Sequence, residues 1–245
     1  MTDDPILACM SAHRSVRRFR PDVPSEDLVR TAVAAAQCAS TSSNVQGYCL
    51  LRVRDEGRRA KLEELTGGQP QVRQAGAFFC VCADQRRHRL AAAQHGRELQ
   101  SNLETFLVDV IDAALFAQNL ALAFEARGLG ICYIGGLRTR LDEVDELLEV
   151  PADVFPLFGL CVGLPDEDPT PRPRLDVEAV LFDDAWPTED EVADHVAAYD
   201  ARMSAYYETR GKSGWNWSDG LSRKLARRHR EHLFRYYTGK GAVLG

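Results

Sequence analysis

The chain has 245 residues, enough for one large domain with decorations. Hydrophobic residues make up 45% and charged residues 27%, a globular composition that excludes a disordered or fibrous chain. The formal net charge of -6 argues against binding of nucleic acid or of an anionic membrane by the chain as a whole, because phosphates would on average be repelled.

The cysteines and the start of the chain bear on its compartment. The seven cysteines lie mostly within apolar runs, and the sequence has no CxxC pair, a pattern typical of buried free thiols in a reducing compartment. The acidic start fits neither a signal peptide nor a transit peptide, and no run approaches the roughly 18 apolar residues of a membrane span. We therefore expect a cytoplasmic protein with no membrane partner.

The first third of the chain alternates helical and strand patterns. Ser25, followed by Glu26 and Asp27, indicates a helix start, because a hydroxyl caps free backbone N–H groups and acidic side chains favour the first turn. Short apolar runs with β-branched and aromatic residues indicate buried strands. The sequence predicts helices at 5–12, 25–37 and 55–66, and strands at 48–53 and 77–83.

A long helix is predicted next. Residues 98–127 contain neither glycine nor proline, and the second half of this stretch is apolar on nearly every face. Its polar exceptions between 108 and 124 are Asp109, Asp112, Gln118 and Asn119. Such a helix must be buried all round, either in the core of one chain or in a subunit interface.

The remaining elements end in a helical appendage. Gly128 and Gly130 end the long helix, and Thr139-x-x-Asp142 is a capping-box signature for a helix that runs to Glu149. The other patterns predict strands at 131–134 and 155–163, and helices at 188–207 and 218–237.

Two loops carry groups that bind anions or polar ligands. His13, Arg14, Ser15, Arg17 and Arg18 converge within six residues, which suits a phosphate monoester because guanidinium groups form bidentate bonds to it. A solvated basic loop is the alternative. Residues 40–46 form a hydroxyl-rich segment after a helix, which on its own pattern is more typical of a plain loop.

Two glycine-containing turns allow close approach to the backbone. Thr-Gly-Gly-Gln at 66–69 follows a helix, and Tyr-Ile-Gly-Gly-Leu at 133–137 follows a strand and would expose backbone N–H groups to a flat ligand. A helix C-cap and a bare strand-to-helix turn are the respective alternatives. The sequence has no GxGxxG, Walker, HExxH or GxSxG motif and no metal-ligand cluster of histidines.

Together these segments resemble the nitroreductase superfamily, specifically its larger-subunit branch of oxygen-insensitive NADPH nitroreductases and NADPH:FMN flavin reductases. The likeness runs almost from end to end. The motifs are His-Arg-Ser-x-Arg at 13–17, Thr-Gly-Gly-Gln at 66–69, Ala-Gln-Asn at 117–119, Tyr-Ile-Gly-Gly-Leu-Arg at 133–138, Pro-Leu-Phe-Gly-Leu-Cys at 156–161, Pro-Arg-Leu at 173–175, Tyr-Tyr-x-Thr-Arg-Gly at 206–211 and Trp-Ser-Asp at 217–219. Each motif alone is weak evidence, and the resemblance rests on the occurrence of all eight in the order and spacing of the family.

The resemblance implies an α+β nitroreductase-like fold with a central mixed β-sheet flanked by helices. It further implies an intertwined homodimer with FMN bound in the interface, which would place the long apolar helix there. Residues 1–175 would form the FMN-binding core. Residues 176–245 would be a helical extension that completes the dimer and the NADPH site.

The resemblance also assigns a flavin site and a nicotinamide site. Cations and a hydroxyl would hold the FMN phosphate, other polar side chains would contact the ring and ribityl chain, partly from the partner subunit, and a double glycine would face N5. The implied FMN residues are His13, Arg14, Ser15, Arg17, Ser42, Ser43, Gln69, Tyr133, Ile134, Gly135, Gly136, Leu137, Arg172 and Arg174. Arg210, helped by Lys212, would bind the 2′-phosphate of NADPH.

Two positions depart from the family pattern. Arg172 stands where the branch usually has lysine before Pro-Arg-Leu, and because the charge is kept, phosphate binding should survive. The loop after Arg210 is shorter and has fewer arginines than in relatives. With Lys212 as its nearby helper, the preference for NADPH over NADH is expected to be softer.

The implied activity is FMN-dependent oxidation of NADPH with ping-pong hydride transfer to nitroaromatics, quinones and similar small acceptors, without a protein acid or base. A dedicated NADPH:flavin oxidoreductase that supplies reduced FMN is the nearest alternative, and a flavoprotein that only senses or stores FMN is another. A nucleic-acid-binding flavoprotein is an alternative of a different class. Residues 210–245 contain nine Lys/Arg against Asp219 and Glu231, although leucines at helical spacing favour a solvated helix packed through its apolar side.

Overall fold

The computed structural model of the chain describes residues 4–244. These residues form two compact units. The first contains the described residues through Pro169 together with those from His232 onward, and the second is Thr170–Glu231. The end of the chain therefore returns to the first unit. The division into functional parts at 175 and 176 stays a prediction.

The elements follow each other in chain order, with short 3₁₀ turns at Ser42–Asn44, Gly135–Thr139 and Val177–Ala179. They are α1 (Pro5–Ser11), α2 (Glu26–Ala36), β1 (Tyr48–Val53), α3 (Glu56–Leu65), α4 (Gln71–Gln74), β2 (Ala77–Asp84), α5 (Arg86–Gln94), α6 (Leu103–Glu125), β3 (Gly130–Ile134), α7 (Leu141–Leu148), β4 (Val154–Gly163), α8 (Glu189–Glu208), α9 (Trp217–Leu225) and α10 (His232–Gly239). All four predicted strands are confirmed.

The sheet of the first unit has the strand order β1-β2-β4-β3, and each neighbouring pair is antiparallel. The α+β class is confirmed, but the expectation of a mixed sheet is wrong for these four strands. Parallel pairing among the described residues is limited to an isolated bridge between Ser15 and Ile131. The basic loop thus adds one short parallel contact at the β3 edge.

The core lies on both faces of the central strand β2, whose eight residues are all buried. On one face, aromatic side chains of α6 meet the sheet: the ring of Phe116 stacks on Tyr48 with centroids 4.4 Å apart, and Phe124 stacks on Phe79 at 6.0 Å. The opposite face buries apolar residues of α3 and α7. Burial of such large side chains stabilises the fold by about 1.5–3 kcal/mol each.

Helix α6 is buried on one face only, so the expectation of burial all round is wrong for the single chain. Its first cap is a capping box between Asn102 and Thr105. The face away from the sheet exposes an apolar stripe at every fourth residue, formed by Leu103, Leu107, Ile111 and Leu115. The helix is long and apolar enough to cross a membrane, yet 44% of its most apolar window is buried inside the protein, and it buries two carboxylates, as a core helix can.

Helix boundaries are close to prediction with two corrections. The hydroxyl of Ser25 caps α2 as expected, accepting from the Leu28 N–H at 3.2 Å. The predicted capping box at Thr139 is wrong, because α7 begins one residue later, after Arg140, without a side-chain cap. The single helix predicted at 218–237 is two helices, α9 and α10, separated by residues that include Arg230 with a left-handed φ of 57°. The sequence pattern missed α4 and α5.

All seven cysteines are free thiols, and burial is confirmed for four of them. Cys80, Cys82, Cys132 and Cys161 lie in the core under the sheet. Cys38 is exposed, and Cys9 and Cys49 are half-buried. For these three cysteines, the apolar sequence around them predicts more burial than the structure shows.

The second unit is built around α8. Thr188 and Glu191 form a reciprocal capping box at its start. Ser218, in the first turn of α9, donates its backbone N–H to Asp200 at 2.8 Å and bonds the same carboxylate through its hydroxyl. The Tyr199 ring meets Trp217 edge-on at 5.2 Å. These contacts fix α9 against α8 within the unit.

Candidate functional site

The basic loop at 13–18 is anchored through its backbone to the edge of the sheet. The Val16 N–H donates to the Ile131 carbonyl at 2.9 Å, and the Val16 side chain is buried. Gly130 makes this approach possible, because a Cβ there would lie 2.7 Å from Val16 Cγ2. The neighbours of Val16 are thereby held at fixed positions beside β3.

Acidic side chains fix the start of this loop. The His13 Nδ1 atom lies 2.7 Å from Glu125 Oε1, at the end of α6, and Arg14 forms an ion pair with Asp168 at 2.5 Å. Burial raises the pKa of the Glu125 carboxyl, an effect opposed by the hydrogen bond with His13. The Glu125 carboxylate thus holds the imidazole ring from one side.

A second acid, Glu167, holds the middle of the loop through backbone groups. Its Oε1 atom accepts the Arg17 N–H at 2.5 Å and the Arg18 N–H at 3.2 Å. The Arg17 side chain is left exposed, with one bond of 3.4 Å to the Ser15 carbonyl. Two cationic side chains, Arg14 and Arg17, are therefore displayed on a backbone fixed from within the same unit.

A cavity of about 410 Å³ opens beside this loop. Arg14, Glu125 and Glu167 supply its charged lining, and Cys9 and Gly130 belong to its walls. The cavity lies between α1, the basic loop and the end of α6. Its mixed charge suits a polar group rather than an apolar one.

The two glycine-containing turns lie against each other. A Cβ on Gly136 would meet both the Gln69 Nε2 atom and the Thr66 carbonyl at 2.4 Å, so only glycine fits. Gln69 Nε2 donates to that carbonyl at 2.8 Å, and Gln71 Nε2 donates to Gln69 Oε1 at 3.2 Å. Thr-Gly-Gly-Gln at 66–69 and the double glycine at 135–136 thus form one surface, termed here the glycine cradle.

The basic loop reaches the same region. Burial raises the pKa of the Cys132 thiol, while the charge of Arg17 and a hydrogen bond with Gln71 lower it. The Val16 N–H donates to the Ile131 carbonyl in β3, and β3 ends at Ile134, immediately before Gly135 of the cradle. The basic loop thus lies along the strand that leads into the glycine cradle.

The other residues of the 133–137 turn take different positions. Ile134 and Leu137 are fully buried, so their side chains belong to the core and not to a ligand surface. Tyr133 is half-buried, its ring meets Phe158 edge-on at 5.4 Å, and burial together with the nearby Glu125 carboxylate raises its pKa. The hydroxyl of Tyr133 therefore stays protonated at neutral pH.

The hydroxyl-rich loop has an unusual backbone. Ser43, Asn44 and Gln46 have left-handed φ angles of 48°, 60° and 54°, conformations that cost a residue other than glycine about 1–2 kcal/mol each. Ser42 and Ser43 are exposed. The Asp112 carboxylate, on α6, accepts the N–H groups of Ser42 and Gly47, both at 3.1 Å. This loop is held from the core.

The remaining predicted site residues lie in the second unit. The Arg174 guanidinium donates to the Arg172 carbonyl at 2.9 Å, and both side chains are exposed. Arg210 donates to the Tyr206 hydroxyl at 2.8 Å and lies 5.5 Å from the centre of that ring, while Lys212 lies 5.8 Å from the Tyr207 ring centre. Aromatic rings thus orient both cations predicted to contact NADPH.

The first unit contains groups that fit FMN. Cations on a fixed backbone suit a phosphate, and the glycine cradle leaves an open surface, since a Cβ on Gly67 or Gly68 would meet no atom within 4 Å. No cluster of three metal-binding side chains occurs in the part of the chain that the structure describes. Sequence reasoning missed Glu125 and Glu167 as supports of the site and gave Asp112 no role, although Asp112 stood out as a carboxylate in an apolar helix.

Comparisons with known proteins agree with this arrangement. Residues 10–164 match the nitroreductase family, and residues 172–244 match the nitroreductase family C-terminal domain. The chain is 42% identical over 235 residues to an FMN reductase (NADPH) of Bacillus subtilis, covering 94% of each chain. It is 39% identical over 241 residues to an oxygen-insensitive NADPH nitroreductase of Salmonella typhimurium, covering 97% of this chain and 98% of the relative.

Solved structures lead to the same family. The NfrA1 nitroreductase from B. subtilis superimposes with a TM-score of 0.93 at 40% identity, covering 97% of this chain and 98% of that one. The resemblance suggested by the sequence motifs is confirmed. The chain belongs to the nitroreductase family and carries that family's C-terminal domain.

Proposed function

We infer that the protein is an NADPH-dependent FMN oxidoreductase that reduces nitroaromatics, quinones and similar small electron acceptors. The observation that carries this function is the attachment of the basic loop to β3, the strand that leads into the glycine cradle, where Gly136 approaches Gln69 and Thr66 closely. Relatives that match almost the whole chain are named for FMN, NADPH and nitro compounds, which supports the same activity.

The flavin contacts are proposed residue by residue. His13, Arg14 and Ser15 would hold the FMN phosphate by charge-assisted bonds. Arg172 and Arg174 are phosphate contacts that the resemblance implies. Other groups would contact the ribityl chain and the ring. These groups are the side chains of Arg17, Ser42, Ser43 and Gln69 and the backbone of 133–137.

The side chains would supply position and electrostatics. FMN, when bound, supplies a ring that accepts and returns a hydride. The Arg17 guanidinium would favour negative charge at the pyrimidine edge of that ring. The cycle would be ping-pong: NADPH would bind, give up a hydride and leave as NADP⁺, and the acceptor would then take its place.

The first experiment is an anaerobic absorbance titration of the purified protein after incubation with FMN. We expect flavin absorbance to co-purify or to be taken up, and to bleach faster with NADPH than with NADH. A protein that takes up no FMN would contradict the proposal. A flavin that binds but never bleaches would instead favour a protein that senses or stores FMN.

Arg210 and Lys212 are proposed to select NADPH. Loss of a charge-assisted contact to the 2′-phosphate would raise the KM for NADPH about tenfold in Arg210→Ala. The KM for NADH and the kcat should not change. Lys224→Ala, an exposed cation of α9, is the control. Equal losses with both nucleotides would contradict the assignment.

Two possible functions of the same site differ in their electron acceptor. One relative is named an FMN reductase and another a nitroreductase, so both remain compatible with the fold. A dedicated flavin reductase would turn over free FMN with a much higher kcat/KM than a nitroaromatic compound. Comparison of the two kcat/KM values decides between them.

We propose that the protein is a homodimer formed through the stripe of Leu103, Leu107, Ile111 and Leu115. These side chains are 44–55% exposed on one face of α6. Contact of such an apolar stripe with water is costly, and the same stripe on a second copy of the chain would cover it. Ile111→Glu should give a monomer in analytical ultracentrifugation, and Leu90→Glu, on exposed α5, should not. Unchanged association of Ile111→Glu would contradict this interface.

We place the enzyme in the cytoplasm, without membrane or nucleic-acid partners. Acidic neighbours accompany the cations of the basic C-terminal segment: Arg223 pairs with Asp219 at 2.6 Å and Arg228 with Glu231 at 3.0 Å. Such pairing weakens attraction to phosphates. Binding to duplex DNA that persists at physiological salt would contradict this exclusion.

A further inference from the structure

The loop at 42–47 is held in a costly conformation by polar groups from two other elements. The turn of α6 that carries Asp109 and Asp112 lies beneath it, and α5 lies beside it. Three of its residues other than glycine are left-handed, so the free loop would favour other conformations. The groups that hold it therefore decide where its two exposed serine hydroxyls lie.

The inner support is the carboxylate of Asp112, which is 1% exposed. Each of its oxygens accepts one backbone N–H at 3.1 Å, from Ser42 and from Gly47, and these residues lie at the two ends of the loop. A carboxylate is the side chain that accepts two diverging N–H groups without bringing a donor of its own. Asp112 thus ties both ends of the loop to one point on α6.

The outer support comes from α5 and binds carbonyl groups instead. His88 Nε2 lies 2.9 Å from the Val45 carbonyl oxygen, and Arg87 donates to the Gln46 carbonyl at 3.1 Å and to the Tyr48 carbonyl. Arg87 and His88 thus bind the carbonyl groups of the loop, whereas Asp112 binds its N–H groups. Asp112, Arg87 and His88 are termed here the loop clamp.

We propose that the loop clamp positions the hydroxyls of Ser42 and Ser43 for FMN, with Asp112 as its central positioning residue. This inference rests on the proposed function, in which both serines contact the flavin. A preorganised loop binds more tightly because its ordering cost is met on folding instead of on binding. The clamp accordingly acts on flavin affinity through the two serines and not through direct contact.

The test is a double-mutant cycle on FMN affinity, measured by fluorescence titration of the deflavinated full-length protein. Asp112→Asn keeps the volume but places an amide donor against a backbone N–H. The dissociation constant for FMN should rise about tenfold, the effect of one lost bond to a charged group. In a Ser42→Ala/Ser43→Ala background the same substitution should change the affinity less than twofold, since the hydroxyls it positions are gone.

A purely structural role predicts a different result, in which Asp112→Asn weakens FMN binding by the same factor with and without the serines. That additive result would overturn the inference. Amide hydrogen exchange of the deflavinated protein gives a second readout: exchange at 42–47 should accelerate in Asp112→Asn while exchange in β2 does not. Unchanged exchange at 42–47 would also overturn it.

Arg87→Gln keeps the inference testable if Asp112→Asn does not fold, because Arg87 is exposed and glutamine can still donate to the loop or to Asp84, with which Arg87 forms an ion pair at 3.4 Å. It should weaken FMN binding in the same serine-dependent way by a smaller factor, whereas Arg86→Gln on the neighbouring exposed position should not. Failure of the proposed function is distinguishable. If the unsubstituted protein takes up no FMN, the proposed function and the role of the loop clamp are both overturned. If the serine variant loses affinity for FMN but the clamp variants do not, only the role of the loop clamp is overturned.

Discussion

Two loops of the first unit carry polar groups that are predicted to contact FMN, and they are held in opposite ways. The basic loop at 13–18 has ordinary backbone angles and is supported by Glu125 and Glu167 near the surface. The hydroxyl loop at 42–47 has three left-handed residues and is supported by the fully buried Asp112. The basic loop displays its own charges, whereas the hydroxyl loop depends on a charge placed beneath it.

This difference predicts a difference in energetics. Changes beneath the hydroxyl loop act in the core and should change the free energy of unfolding markedly. Changes around the basic loop alter charges near water and should reduce flavin binding with little effect on stability. Substitutions at four positions test this separation, and the expected effects decrease from Gly47 to Glu167.

Gly47→Ala should have the largest effect. A Cβ there would lie 1.9 Å from Asp109 Oδ1 and 2.8 Å from the Asp109 Cα atom, so α6 or the loop must move. We expect a loss of about 2–4 kcal/mol in the free energy of unfolding, with weakened FMN uptake. Urea denaturation measures it. Gly239→Ala, where a Cβ would meet no atom within 4 Å, is the control and should be neutral within about 1 kcal/mol.

Asp109→Asn tests the charge buried beside the same loop. Burial raises the pKa of Asp109 from 3.8 to about 6, opposed by a hydrogen bond from Gln85 and by the charge of His88. The folded state therefore holds this proton more tightly than the unfolded state, and the stability contributed by the group is lost as pH rises through about 6.

Removal of the charge should accordingly stabilise the protein above that pH. We expect Asp109→Asn to gain about 1–3 kcal/mol at pH 7.5 and to lose this gain as the pH approaches 4. Denaturation of both proteins across this range measures the difference. Asp183→Asn, at an exposed site, should show no such trend. A gain that grows on acidification would contradict the sign.

The comparison of the loops also explains what could be predicted from sequence. The cations of the basic loop and the glycines of the cradle are local patterns, so His13, Arg17 and Gly136 could be proposed from the chain alone. The strands could be predicted because they are short, mainly apolar runs, as in β2 from Ala77 to Ala83. The acidic residues that support the two loops could not be predicted, because Asp112 is 70 residues from Ser42 along the sequence and Glu167 is 150 residues from Arg17. Likewise, neither the antiparallel order of the sheet nor the break between α9 and α10 is marked in local composition.

Glu125→Gln tests the first support of the basic loop. The carboxylate holds His13 Nδ1 at 2.7 Å, and its second oxygen is buried without a hydrogen-bond partner among the residues that the structure describes. Loss of the charge should weaken FMN binding about fivefold to tenfold while stability falls little or rises, because a partly desolvated carboxylate is removed. Glu104→Gln, exposed at the other end of α6, is the control. A large loss of stability would break the contrast between the loops.

Glu167→Gln should have the smallest effect, because the role of Glu167 depends on an oxygen acceptor and not on charge. The amide oxygen of glutamine can still accept the N–H groups of Arg17 and Arg18, which lie 2.5 and 3.2 Å from Oε1. The ion pair lost with Arg18 spans 3.3 Å to a side chain that is 70% exposed, so it contributes at most about 0.5 kcal/mol.

Glu167→Ala separates the two roles, since it removes the acceptor as well. We expect Glu167→Ala to lower the free energy of unfolding by about 1–2 kcal/mol and to weaken FMN binding severalfold. Glu167→Gln should change the free energy of unfolding by at most about 0.5 kcal/mol and the FMN affinity by less than twofold. Urea denaturation and flavin titration of the two variants measure this. If glutamine were as damaging as alanine, the negative charge itself would hold the basic loop. The loop would then depend on electrostatics that added salt weakens, which repetition of both titrations at high ionic strength would reveal.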